Sequence, residues 1–242
     1  MMKRIRSVII SLILLVYLII VLTFVAIKLG EVTCSGLQVA VNDTLVNSFV
    51  NQEEIMRVIK RGYGNIEGMP LLSVNKDSLE RILAKNRMIK SAQVYYSLDG
   101  FLHVVIDQRE PVLRVISKES YYVDKEGEVM PLSTKFTSRV VVATGNVTKE
   151  FASKKLYPFV MMIRENEFWN AYIEQIVVRQ NEDIVLIPKV GNFQIVLGQV
   201  DGADARMEKL MLFLKRGIAK KGWNRYKEVN LKFKNQIVCV RK

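Results

Sequence analysis

The sequence predicts an α+β protein: an N-terminal transmembrane helix, a β-α-α-β-β module, then a β-rich domain in which a curved sheet carries packed helices. Three observations predict it. Val8–Ile27 is an apolar run of 20 residues without a charge. Between Leu37 and Asp107 the hydrophobic period changes from two to 3.6 and back to two. After Pro111, short apolar runs punctuated by Gly dominate, with two helical interruptions.

The apolar run comes first. At about 1.5 Å per residue it spans roughly 30 Å as a helix, the thickness of a bilayer's hydrocarbon core. Ser11, Tyr17 and Thr23 are its polar interruptions. Lys3, Arg4 and Arg6 precede it, whereas Lys28 follows with Glu31 close by. The positive-inside rule therefore places residues 1–7 in the cytoplasm, the helix at 8–28, and the remainder outside. A cleaved signal peptide is the rival reading, but its apolar region is shorter and ends in a small-residue site. Cys34 raises a lipoprotein signal, for which Glu31-Val32-Thr33 is a poor approach.

Net charge is +12. Four basic residues precede the first acid, Glu31, which leaves about +8 on the exported part. That suits an anionic membrane surface or an acidic partner. No basic run interleaves with aromatics as a nucleic-acid platform requires. The two cysteines, Cys34 and Cys239, lie near opposite ends, and a disulfide between them stays open.

In the module, Leu37–Val41 alternates as a strand. Asn51 caps a helix, with Glu54 three residues on and Ile55, Met56, Val58 and Ile59 on its apolar face. Gly62 and Gly64 end it. A second helix begins near Asn75, with Leu79, Ile82 and Leu83 facing inward. Ser91–Ser97, the turn Leu98-Asp99-Gly100, and Phe101–Asp107 form a hairpin. Beyond Pro111 strands are expected at Val112–Ile116, Tyr121–Asp124, Val140–Ala143, Ile173–Val178, Ile184–Ile187, Phe193–Leu197, and Val229–Phe233 continuing to Val240. Lys155–Asn166 and Asp204–Ile218 have helical spacing. Domains are expected at 33–109 and 110–242.

Chemistry finds little footing. His103 is the sole histidine and sits in an alternating strand. No metal-ligand spacing, G-x-S-x-G elbow or phosphate loop occurs. The acid pairs Glu53-Glu54, Glu165/Glu167 and Glu182-Asp183 lie at helix starts or turns. The expectation is a non-enzyme with no catalytic residue, metal, cofactor, small-molecule substrate or nucleic acid. Binding has a better physical basis. If Lys232-Phe233-Lys234-Asn235-Gln236-Ile237-Val238 and the residues after it form an edge strand, its free N–H and C=O groups can accept a partner strand. The lysines alternatively serve only to protect that edge, and both readings stand at this point.

These residues together resemble the FtsQ/DivIB family of bacterial cell-division proteins over essentially the whole chain. The stretches that carry it are Ile89–Val94; Val104–Gln108 with Arg109-Glu110-Pro111-Val112, similar to the family's E-R-x-P junction; Tyr122-Val123-Asp124-x-x-Gly127; Val142–Gly145; Leu197-Gly198 with Lys209-Leu210; and Val229-Asn230-Leu231-Lys232-Phe233. Gln108 stands where the family usually has Glu. Leu98-Asp99-Gly100 replaces a turn that usually contains Pro, and Asn86-Arg87-Met88 replaces a Pro-aromatic pair. The resemblance implies a POTRA module followed by the family's β domain. It implies a non-enzymatic, single-pass scaffold of the divisome in the inner membrane at the septum, linking septal cell-wall synthesis to the division site. Its implied partners are small bitopic coiled-coil proteins of the FtsB/FtsL type and other divisome membrane proteins. Lys232 and Phe233 fall on the family's basic-aromatic interface pair, with residues 234–240 as the augmenting edge. Another POTRA-bearing envelope assembly or transport protein is the alternative, although about 130 residues containing helices and charged turns do not make a large lipid-facing barrel.

Overall fold

The computed structural model of the chain describes residues 2–43, 48–97, 99–218 and 222–242, and their side chains apart from 2–5, 7–8, 26–31 and 218. The chain divides into two compact units, Met1–Gln108 and Arg109–Lys242.

The first unit opens with helix α1, Met2–Glu31, which contains the whole expected apolar run. The described side chains from Ile9 to Val25 are all exposed. Those side chains stop short of the full run Val8–Ile27. Among the described residues, no helix is long and apolar enough to cross a membrane. The flanking side chains of Lys3, Arg4, Lys28 and Glu31 are not among the described side chains.

The module follows as β1 (Gly36–Val41), α2 (Gln52–Gly62), α3 (Lys76–Ala84), β2 (Ile89–Tyr96) and β3 (Phe101–Gln108). Asn51 Oδ1 accepts from Glu54 N and Asn75 Oδ1 from Ser78 N, each at 2.9 Å, so both helices start where a side chain satisfies a free amide. Sheet order is β1-β3-β2, with β1 parallel and β2 antiparallel to β3. A helical crossover allows the parallel pair, and a tight turn allows the antiparallel one. Leu98 of that turn lies outside the described residues. β3 alternates strictly, with Leu102, Val104 and Ile106 fully buried. Ile55, Ile59, Leu79 and Leu83 of the helices are buried as well.

The second unit contains β4 (Pro111–Ile116), β5 (Ser120–Asp124), β6 (Val129–Pro131), β7 (Val141–Gly145), α4 (Lys149–Phe151), α5 (Tyr157–Glu165), α6 (Glu167–Tyr172), β8 (Ile173–Val178), β9 (Ile184–Pro188), β10 (Gln194–Gly198), α7 (Ala203–Phe213), β11 (Tyr226–Asn230) and β12 (Val238–Arg241). All nine strands form one sheet, ordered β12-β11-β10-β9-β8-β7-β4-β5-β6. β7–β8 and β10–β11 are parallel pairs bridged by helical crossovers. The core joins the sheet to these helices through residues such as Leu113, Ile176, Leu186, Val229, Phe159, Trp169, Met207 and Leu210.

Three expectations need correction. β6 and α6 are additional elements. α6 starts at Asn166, whose Oδ1 accepts from Trp169 N at 3.1 Å. The helix expected from Lys155 begins earlier. Thr148 caps α4 at Phe151 N, and a π turn at Ala152–Leu156 carries α4 into α5. The run from Val229 to Val240 is two strands, not one. Residues 231–237, in which the polar Lys234-Asn235-Gln236 interrupts the apolar alternation, turn the chain back so that β12 pairs antiparallel with β11.

Candidate partner-binding edge

β12 lies at one end of the nine-stranded sheet, with β11 as its sheet neighbour. Its pairs with β11 include Asn230↔Val238, Val229↔Cys239 and Glu228↔Val240. Lys242 N donates to Arg225 O at 3.2 Å. In an antiparallel pair the backbone direction alternates. Val238 and Val240 therefore direct their N–H and C=O toward β11, whereas Cys239 and Arg241 direct theirs outward. Ile237 and Cys239 pack against the core. Val238 and Val240 are 37% and 39% exposed, an apolar strip on the other face of the strand.

The turn before β12 is held from several directions. Leu231 is buried and its N donates to Val196 O of β10 at 2.9 Å. Asn230 Oδ1 accepts from Lys232 N at 3.1 Å, a local side-chain turn. Lys209 of α7 places its Nζ 3.2 Å from Leu231 O and 2.6 Å from Phe233 O. Burial, and then the nearby Arg206 charge, hold the Lys209 pKa below its ordinary value. An ammonium bonded to carbonyl oxygens stops this irregular segment from collapsing or unwinding. Phe233 is thereby presented 47% exposed beside the strand.

The seven residues expected to bind a partner thus divide. Lys232 Nζ lies 2.6 Å from Asp183 Oδ2, and Asp183 is only 6% exposed. That hydrogen bond holds the Asp183 carboxyl below its usual range. The Lys232 stem also lies against Gly198: a Cβ there would come within 3.0 Å of Lys232 Cγ. Lys232 is therefore committed to joining the β8–β9 turn to the turn before β12. Phe233, Lys234, Asn235 and Gln236 are exposed in that turn, Ile237 faces the core, and Val238 opens β12. Val240 belongs to the expected augmenting edge, and Arg241 extends the surface past it. Lys209 is the residue whose positioning role the sequence did not reveal, because its partners lie more than twenty residues away and are backbone carbonyls.

Other motif residues have structural partners too. Asp124 is fully buried, its Oδ1 accepts from Glu126 N and Glu128 N, and its Oδ2 meets Arg109 Nη1 at 2.5 Å. Glu110 bonds Arg164 at 2.5 Å and Lys125 at 3.3 Å. The Arg109-Glu110-Pro111 junction and the Tyr122-Val123-Asp124-x-x-Gly127 turn are therefore one ionic network at the start of the second unit. His103 stacks on Tyr95 with centroids 5.2 Å apart. Cys34 and Cys239 are not joined in a disulfide. Among the described residues no group of three His, Cys, Asp or Glu could hold a metal ion.

Comparison with protein-family models matches residues 110–240 to the model described as FtsQ/DivIB, C-terminal related, and residues 32–107 to that of a POTRA-like domain. Comparison with curated proteins finds no match. The first match spans more than half the chain and ends on β12, and the second covers the β-α-α-β-β module, so this chain belongs to the FtsQ/DivIB family.

Proposed function

We propose that this chain is a non-enzymatic scaffold of the bacterial divisome that gathers partners outside the inner membrane and links septal cell-wall synthesis to the division site. In this reading residues 1–7 stay in the cytoplasm, 8–28 cross the membrane, and the domains at 33–109 and 110–242 stand outside it, at the septum. The charge-free run Val8–Ile27 inside a 30-residue helix with exposed apolar side chains supports the anchor. Its length matches a bilayer's hydrocarbon core, where such apolar side chains are favoured.

The observation that carries the partner reading is the place of β12 at the end of the sheet, with the Arg241 backbone directed outward, together with the fixed, exposed Phe233. A strand added there would gain main-chain hydrogen bonds from β12, with Phe233 as an aromatic anchor. The proposed occupant is a strand from a small bitopic coiled-coil division protein of the FtsB/FtsL type. Co-purification of the full chain with that partner from membranes tests it. Phe233→Ala and Arg241→Pro should each weaken binding at least about tenfold, one removing the anchor and the other an outward N–H. Both should melt as the unaltered protein does. Full binding by both variants would overturn the site.

A further inference from the structure

A second surface lies on the helical side of the same unit. α5, α6 and α7 enclose an open cleft of about 640 Å³. Its floor and walls are Met162, Trp169, Met207, Met211 and Leu212. Trp169 and Met207 are buried, whereas Leu212 is 55% exposed. Glu165, Asp204 and Glu208 line the cleft as well, and all three are exposed.

The cations that could neutralise those acids are engaged elsewhere. Arg164, next to Glu165, bonds Glu110 and Pro111 O. Arg206 is held by the carbonyls of Gln199 and Asp201. Lys209, next to Glu208, fixes the turn that carries Phe233. Among the described residues no ion pair involves Glu165, Asp204 or Glu208. A chain of net +12 thus keeps a local acidic, methionine-rich cleft.

We infer that this cleft docks a basic amphipathic helix of a protein partner. Charge decides the sign: lysines or arginines flanking an apolar stripe would meet the three carboxylates. Cleft geometry decides the conformation. Its walls are helices, whose backbone groups are already paired, so it offers no ladder to an extended strand. An occupant must satisfy its own backbone, as a helix does, and contribute only side chains. Flexible Met162, Met207 and Met211 can adapt to such a stripe. This surface is separate from the β12 edge and does not depend on it.

The test uses the full chain in nanodiscs, labelled with 5-fluorotryptophan, and two synthetic helical peptides. One has a leucine stripe flanked by lysines, and the other is the same peptide with glutamates. The two indole fluorines report separately, Trp169 inside the cleft and Trp223 outside it. The lysine peptide should shift the Trp169 signal saturably and leave Trp223 unmoved, with affinity falling as salt rises. Glu165→Gln with Glu208→Gln should weaken that binding at least about tenfold without changing melting. Equal binding of the glutamate peptide, equal binding by the double variant, or an unmoved Trp169 signal would overturn the inference.

Discussion

Gln108 shows how one side chain can settle a boundary. It is 7% exposed at the end of β3. Its Oε1 accepts from Phe49 N and Val50 N at 2.9 Å each, and its Nε2 donates to Asn42 O at 3.1 Å. It thereby ties the end of β1 and the approach to α2 onto the central strand. An amide can accept and donate at once, whereas a carboxylate only accepts. Gln108→Glu would set a charged oxygen against the Asn42 carbonyl and should cost about 1–3 kcal/mol at neutral pH. Burial raises the pKa of such a carboxyl, and its protonated form could donate as the amide does. The deficit should therefore narrow as pH falls toward 4. Denaturant midpoints at both pH values check this; an unchanged midpoint at pH 7 would contradict it. The sequence marked Gln108 as a departure from the family pattern, but Phe49, Val50 and Asn42, which it bonds, are 58 to 66 residues distant and left no local signal.

At the scale of elements, β11 and β12 decide where a partner strand could add. Apolar residues at 229, 231 and 233 and again at 237–240 read as one continuing strand, although the polar Lys234-Asn235-Gln236 lies between them. The turn exists because Lys209, Asn230, and the Lys232–Asp183 pair stabilise it, and two of those interactions come from other elements. The ion pair has a consequence for pH. Asp183 titrates below its unfolded value, so its stabilisation is complete above the unfolded carboxyl pKa of about 3.9 and is lost as pH falls through the folded value. Asp183→Asn should lower the urea midpoint at pH 7. The gap to the unaltered protein should close below about pH 3–4. A gap that is constant with pH would show that the pairing is not the cause. Apart from β6, the strands from β4 to β10 are legible in the sequence as short apolar runs bounded by polar or glycine-containing turns. α6 was missed although Asn166 carries an N-cap signal, since six residues are too few for a helical period to emerge.

At the scale of the molecule, the proposed topology predicts opposite fates for the two ends. In spheroplasts, external protease should digest the regions 33–109 and 110–242 and leave a tag ahead of Met1 intact. Digestion of that tag in sealed spheroplasts, or survival of both units, would overturn the single-pass arrangement. The apolar run, the module order, the helix caps and the division near Pro111 follow from local patterns: hydrophobic period, capping side chains and backbone restriction act within a few residues. Distant contacts decided the rest. Which strands neighbour one another, that β12 folds back as an edge, that Lys232 is committed to Asp183, and that the cleft acids lack cations all depend on partners brought together from far along the chain. Periodicity specifies which face of a segment is buried, but not which other segment covers it.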